Sequence, residues 1–218
     1  MRWLPQSNLR HSVALASEVL SGRIVIGDRS AKHFFRNRKV GSGIALSGYF
    51  QDWTLFESEI RNVAEVVNQM MTQRFGARPQ KKSGAIHLRL GDYSKLSKVF
   101  GSTSNQYVVE AVKKLAGDSR DSNDSVTVFS NELEKAKSRL SGLSLNFVFA
   151  DDLEPLQTLF EISQSSWIVG SNSTFSWWSA AIGGFVPLSL PSPFLVSKRR
   201  NAKINLGSHN VIWIMRTV

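Results

Sequence analysis

The sequence predicts an α/β fold built on a parallel, doubly wound sheet. From Ser83 onward, short apolar runs of strand length alternate with segments whose apolar residues recur at the helical period. This alternation favours parallel strands joined by right-handed crossovers. Ligands of such sheets bind beyond the carboxyl ends of the strands, so the polar residues that follow the apolar runs should gather at one edge.

Residues 1–82 are less regular than the rest of the chain. They contain three predicted elements: a helix at 13–20, a strand at 24–26 and a helix at about 55–75. The segment from Gly76 to Lys82 has the composition of a linker. We therefore expect a domain boundary after Lys82, with residues 83–218 forming the second domain.

Five strands and four helices are predicted in residues 83–218. The strands are expected at 86–90, 126–129, 145–149, 167–169 and 186–190, and the helices at 106–115, 132–140, 155–162 and 175–182. The polar residues that then fall just after a strand are Asp92, Ser130, Asn131, Asp151, Asp152, Asn172, Ser173 and Thr174. We expect all of them on one edge of the sheet.

The composition excludes several classes of protein. The 218-residue chain is 42% hydrophobic and 20% charged, as is ordinary for a soluble globular protein. No apolar run approaches the ~20 residues of a membrane span, and the first residues lack the apolar core of a signal peptide, so we expect a cytoplasmic location. The absence of cysteine excludes disulfides, thiolate nucleophiles and cysteine-based metal sites.

The net charge of +10 lies mostly in residues 1–82, and its clusters are short. Arg36–Lys39 and Lys198–Arg200 are too short for a nucleic-acid-binding arm, so no nucleic-acid partner is expected. A solvated basic surface explains the charge most simply. The alternative explanations of the charge are attraction of anionic substrates and peripheral contact with an anionic membrane.

The first polar motif ends the predicted strand at 86–90. His87 and Arg89 should point to the same face of that strand, with Asp92 in the turn that follows. Arginine suits a bidentate grip on a diphosphate, and Asp92 or His87 could accept a proton. Alternatively, Arg89 and Asp92 form an ion pair at the strand end and His87 is a core residue.

The second polar motif, Ser171–Ala180, lies where a strand turns into a helix. Backbone N–H groups at a helix start lack intrahelical partners and favour anions, and Asn172, Ser173 and Thr174 can cap the helix or bind a phosphate oxygen. The aromatic residues that follow are most simply core residues of the helix. Together the two motifs indicate an enzyme that handles a nucleotide sugar.

Two more polar pairs follow predicted strands. An acidic pair such as Asp151 and Asp152 can hold Mg²⁺, but adjacent side chains at a strand end diverge. We therefore expect one aspartate to contact a ribose or base and the other to cap a helix, with helix capping alone as the alternative, and we expect no metal site. Ser130 and Asn131 either contact the ligand or begin a helix.

Three segments resemble the α-1,2-fucosyltransferases, inverting enzymes that transfer L-fucose from GDP-fucose. His87–Tyr93 is similar to the family's His-x-Arg-x-Gly-Asp-Tyr motif, and Ser171–Ala180 to its Asn-Ser-[Ser/Thr]-Phe-Ser-Trp-Trp block. Gly48–Gln51 is similar to its Gly-Tyr-[Phe/Trp]-Gln element. The three occur in the family's order, and the resemblance covers about residues 48–193.

The resemblance implies a GT-B-like enzyme with two facing Rossmann-like halves, in which residues 83–218 hold the GDP sugar without a metal. Arg89 would neutralise the diphosphate, with His87 and Asp92 completing the catalytic site. Asp92 would be the proton acceptor or would orient Arg89. The other positions expected to contact the donor are Ser130, Asn131, Asp151, Asn172, Ser173, Thr174 and Ser176.

The chain departs from the family at its front. Family members open with a Gly-rich segment, Gly-Gly-x-Gly-Asn-Gln, which is not found before Val13. Residues 1–82 are therefore expected to form a shortened acceptor-side region. The implied function is transfer of fucose to a galactose-type hydroxyl of a surface glycan. One option is a lipid-linked acceptor, for which the protein would lie peripherally at the inner face of the membrane. A donor-binding remnant without transfer activity and a basic nucleic-acid-binding protein are the alternatives.

Overall fold

A computed structural model of the chain describes residues 24–27, 44–47, 59–79, 83–91, 103–117, 125–150, 153–192 and 211–215. The chain divides into two compact units, Met1–Glu57 and Ser58–Val218. The helix predicted at 13–20 lies outside the described residues. The two units therefore divide after Glu57, whereas the linker composition of Gly76–Lys82 predicts a boundary after Lys82.

The smaller unit contains two paired strands. β1 (Ile24–Gly27) and β2 (Ile44–Ser47) lie parallel, with Ile24 opposite Ile44 and Gly27 opposite Ser47. β1 is the strand predicted at 24–26, whereas β2 was not predicted. A run of only three apolar residues gave too little pattern to distinguish a strand from a loop.

The larger unit is built on a six-stranded parallel sheet. Its strands are β3 (Ala85–Leu88), β4 (Val126–Ser130), β5 (Phe147–Phe149), β6 (Ile168–Gly170), β7 (Leu188–Ser192) and β8 (Val211–Met215). Their spatial order is β5-β4-β3-β6-β7-β8, and every neighbouring pair is parallel. This is the strand order of a Rossmann-like sheet, which confirms the predicted doubly wound α/β fold. β8 was not predicted.

Within the described segments, five helices accompany the sheet. They are α1 (Ile60–Phe75), α2 (Asn105–Ala116), α3 (Leu133–Leu140), α4 (Pro155–Ser163) and α5 (Thr174–Ile182). All five were predicted, with ends that differ by a few residues. Among the helices of the described segments, none is both long and apolar enough to cross a membrane.

The helices lie on opposite faces of the sheet. Ile86 and Leu88 of β3 pack in one core with α2 and α3, whereas His87 between them contacts Ser176 of α5. Because side chains alternate along a strand, α5 must lie on the face opposite α2 and α3. All four residues of β3 are buried, as expected for a strand covered on both faces.

The packing of α1 accounts for the position of the division between the units. Met71 of α1 is buried against Phe160 of α4 and Ile182 of α5, and the Phe75 and Phe160 rings stack with centres 5.9 Å apart. α1 is therefore part of the larger unit, although it precedes the segment of linker composition. Composition alone cannot reveal this contact, since it joins residues far apart in the sequence.

Gly170 allows α5 to approach the sheet closely. A Cβ atom at this position would lie 2.7 Å from Ser176 Cβ, 2.9 Å from Ser176 Oγ and 3.0 Å from Leu190 Cδ2. The first two distances are shorter than real Cβ contacts allow, so a side chain here would push α5 away from β6.

We therefore predict that Gly170→Ala lowers the free energy of unfolding by about 1–3 kcal/mol through overpacking. Gly142→Ala is the matched control, because a Cβ there meets no atom within 4 Å and the backbone is not left-handed. It should change stability by less than about 0.5 kcal/mol. Urea unfolding of both variants measures the difference, and equal stabilities would show that α5 can shift freely.

Candidate functional site

The two polar motifs meet at the point where the sheet reverses its strand order. β3 and β6 are neighbours, with Ala85 opposite Ile168 and His87 opposite Gly170. The chain continues from β3 to β4 on one side and from β6 to β7 on the other. Ligands of Rossmann-like sheets bind in the crevice that such a switch point opens beyond the carboxyl ends. The prediction that the two motifs share one edge is confirmed for their described residues.

Ser171 extends the pairing of β3 and β6 by one residue. Its backbone N–H and its hydroxyl both donate to the carbonyl oxygen of His87, at 2.9 Å and 3.0 Å. Its Oγ also accepts a hydrogen bond from the backbone N–H of Arg89 at 3.0 Å. Ser171 is 1% exposed, so these bonds form away from water. The backbone that carries Arg89 is thereby held against β6.

His87 is a buried, neutral residue of the site. Its Nδ1 lies 2.7 Å from Ser176 Oγ, and its ring centre lies 5.1 Å from that of Phe175. Burial, and secondarily the positive charge of Arg89, lower the pKa of His87 from 6.5 to about 4. An imidazole with this pKa stays neutral near pH 7 and is a weak proton acceptor there.

The loop after β4 supports the loop after β3. Asn131 Oδ1 accepts a hydrogen bond from Leu90 N–H at 2.9 Å, and Ser130 Oγ accepts one from Glu132 N–H at 3.1 Å. A Cβ atom on Gly91 would lie 2.8 Å from Asn131 Nδ2. Asn131 thus shapes the backbone next to Arg89, and Ser130 shapes the start of α3. A contact of either residue with the donor stays a prediction.

The start of α5 is built as a capped helix terminus. Ser173 has extended backbone angles, and its Oγ accepts a hydrogen bond from Phe175 N–H at 3.3 Å. Asn172 and Ser173 are buried, whereas Thr174 is partly exposed. The predicted helix start is confirmed. Its predicted role in binding phosphate is untested, and Thr174 is the residue of the three that solvent reaches best.

Some predicted site residues cannot be placed. Asp92, Asp151 and Asp152 lie outside the described residues. Arg89, His87, Ser176 and Asn131 come together around the end of β3. Within the part of the chain that the structure describes, no group of three or more acidic or histidine side chains could hold a metal ion.

The sequence analysis includes Ser171 in the second polar motif without a role of its own, and it misses Tyr107. The Tyr107 hydroxyl of α2 is fully buried and bonds to the carbonyl oxygens of Gly170 at 2.7 Å and Ser189 at 3.0 Å. It therefore bonds to the last residue of β6 and to the second residue of β7, from the face opposite α5. A local signal existed for Ser171, which directly follows the strand, but none existed for Tyr107, whose partners are more than 60 residues away.

The strand order and the polar switch point define a Rossmann-like ligand-binding domain. A model of glycosyl transferase family 11 matches residues 38–205, and the chain belongs to that family. The match includes both polar motifs and most of the sheet. A comparison with curated protein sequences finds no match.

Several solved structures are similar to the chain at low identity. POFUT1 in complex with GDP is 14% identical, with a TM-score of 0.41, over 68% of this chain and 54% of that one. POFUT1 in complex with GDP-fucose is 14% identical, with a TM-score of 0.38, over 65% and 50%. Thermosulfurimonas dismutans KpsC, a beta Kdo 2,7 transferase, is 9% identical, with a TM-score of 0.32, over 84% and 69%. The chain spans about half the length of POFUT1.

The lowered pKa of His87 predicts a pH dependence of stability. The folded protein keeps His87 neutral down to about pH 4, whereas the unfolded chain binds a proton near pH 6.5. The contribution of His87 is therefore complete above pH 6.5 and is lost as the pH falls to 4, by about 3 kcal/mol in all.

The measurement compares the wild type with His87→Asn, which cannot titrate in this range. Urea unfolding between pH 7 and pH 4 gives the difference in free energy between the two proteins. We expect the advantage of the wild type to shrink as the pH falls. A difference that stays constant over this range would contradict the buried, neutral state of His87.

Proposed function

We propose that the chain transfers L-fucose from GDP-fucose to a galactose-type hydroxyl of a surface glycan, with inversion and an α-1,2 linkage. The observation that carries this proposal is the position of Arg89 at the switch point, held by Ser171 on one side and close to a neutral histidine. Membership of glycosyl transferase family 11 supports a sugar-transfer reaction.

In this proposal Arg89 binds the diphosphate of the donor. A guanidinium donates several hydrogen bonds in one plane and keeps its charge at any physiological pH. His87 adds no second positive charge because burial keeps it neutral. The start of α5, with Asn172, Ser173 and Thr174, lies next along the sheet edge and supplies a positive helix end.

The reaction is a single displacement. The acceptor hydroxyl oxygen attacks the anomeric carbon of fucose as the bond from that carbon to the β-phosphate oxygen breaks. The electron pair of the broken bond leaves with GDP, where Arg89 stabilises the added negative charge. The hydroxyl proton passes to a base, for which we propose Asp92. Ser130, Asn131 and Asp151 contact the rest of the nucleotide, and no metal takes part.

The acceptor and the place of reaction complete the proposal. The proposed acceptor is a galactose-type hydroxyl, and we assign residues 1–82 to its binding. If that acceptor is lipid-linked, the enzyme works at the inner face of the membrane, where its net charge of +10 favours contact with anionic lipids. With a soluble acceptor, the protein is cytoplasmic.

We predict that Arg89→Ala weakens GDP binding by about tenfold to a hundredfold, because it removes a charge-assisted contact. Arg89→Lys should recover only part of the loss, since an ammonium cannot bind two oxygens in one plane. Calorimetric titration of GDP measures both.

Arg61→Ala is the matched control for charge. Its guanidinium lies 4.9 Å from the ring centre of Phe185, in the turn before β7 and so at the opposite edge of the sheet. GDP affinity should be unchanged in this variant. Equal losses in the Arg61 and Arg89 variants would indicate a general effect of positive charge and would reject the assigned donor site.

The activity itself is tested with a panel of sugar donors and acceptors in excess EDTA. We expect GDP release from GDP-fucose, dependent on an added galactoside, and no release from GDP-mannose or turnover of UDP-galactose. Activity that returns only with Mg²⁺ or Mn²⁺ would contradict the metal-free proposal. Tight GDP binding without transfer to any galactoside would instead support a donor-binding protein without transfer activity.

A further inference from the structure

The Ser176 hydroxyl faces the interior of the protein. Its side chain has no exposed surface, and its Oγ lies 2.7 Å from His87 Nδ1. A hydroxyl in this position already has a short hydrogen bond to a buried partner. A phosphate could reach it only if α5 moved away from the sheet, and the close contact of α5 with Gly170 opposes entry from that side.

The geometry of β3 and β6 explains why Ser176 reaches His87. Gly170 is the register partner of His87 on the neighbouring strand. Ser176 lies directly over Gly170, so close that a Cβ atom on the glycine would meet it at 2.7 Å. Because Gly170 has no side chain, Ser176 of α5 comes close enough to the sheet to form a hydrogen bond with His87 of β3.

His87 in turn lies close to Arg89. Arg89 follows the end of β3, and Ser171 links the two backbones: its N–H and Oγ donate to the carbonyl oxygen of His87 at 2.9 Å and 3.0 Å, and the same Oγ accepts a hydrogen bond from the N–H of Arg89 at 3.0 Å. The imidazole is held on its other sides by Ser176 and by the ring of Phe175. The ring of His87 and its carbonyl group are therefore both held, and Ser171 connects that carbonyl group to the backbone of Arg89.

We infer that Ser176 is a positioning residue: through His87 it holds Arg89 in the orientation that binds the donor diphosphate, and it does not itself touch the donor. This inference rests on the proposed function, in which Arg89 binds GDP. It gives Ser176 a different role from the direct donor contact that the sequence suggests.

The test compares two buried hydroxyls of the same helix. Ser176→Ala removes the bond to His87, whereas Ser179→Ala removes a buried hydroxyl that donates only to the carbonyl of Phe175 within α5, at 2.9 Å. We expect Ser176→Ala to weaken GDP binding by about threefold to tenfold, as the loss of one hydrogen bond allows. Ser179→Ala should change it by less than about twofold. Equal effects of the two substitutions would overturn the inference.

A double-mutant cycle with Arg89→Ala separates positioning from direct contact. If Ser176 acts through Arg89, then Ser176→Ala has no further effect on GDP affinity once Arg89 is alanine. If the loss persists in that background, Ser176 acts independently of Arg89 and the inference is wrong. Should Arg89→Ala itself leave GDP affinity unchanged, the proposed donor site fails. A loss with Arg89→Ala but not with Ser176→Ala refutes this inference alone.

The conservative variant His87→Asn provides a second measurement. The asparagine amide places a hydrogen-bonding group near the position of Nδ1, so it can keep the bond to Ser176. We expect His87→Asn to retain more GDP affinity than His87→Ala, and to lose that advantage when Ser176 is also alanine. Ser176→Cys replaces Ser176→Ala in both tests if the alanine variant does not fold. An advantage of asparagine that survives the loss of Ser176 would overturn the inference.

Discussion

The parallel pairing of β3 with β6 is the constraint on which the rest of the structure depends. These strands are adjacent in space although residues 89–167 separate them in the sequence, and further strands pair on both sides of them. This order creates the crevice beyond their carboxyl ends, because the segment after β3 leads to one side of the pair and the segment after β6 leads to the other. Each polar motif follows one of the two strands. A shift of one residue in the register would turn His87 to the other face and break the bonds of Ser171.

The pairing is held from both faces of the sheet by buried polar side chains. Tyr107 of α2 reaches the carbonyl of Gly170 from one face, and Ser176 of α5 reaches His87 from the other. A buried polar group is costly when it lacks a partner, so such bonds favour one register over nearby alternatives. The same bonds fix the strand end that carries Arg89. Stability and the geometry of the proposed donor site therefore depend on the same few residues.

Much of the fold could be predicted from the sequence, but less of the site. β6 was predicted from the apolar run that ends in Gly170, and the start of α5 from the hydroxyl residues that follow it. Both signals are local in the sequence. β8 was missed although Val211–Met215 is a continuous apolar run of strand length. The position of α1 was missed because its partners are distant in sequence. The hydrogen bonds of Ser171 to His87 and Arg89 arise from strand pairing, and the lowered pKa of His87 arises from burial. No local sequence pattern encodes either.

The most direct test of the account is a crystal structure of the chain with GDP bound. We expect the diphosphate beyond the carboxyl ends of β3 and β6, with a phosphate oxygen within hydrogen-bond distance of the Arg89 guanidinium. Ser176 Oγ should remain bonded to His87 Nδ1, as it is without the ligand. GDP bound elsewhere on the chain, with Arg89 out of reach of the phosphates, would contradict the central claim that the β3–β6 switch point is the donor site.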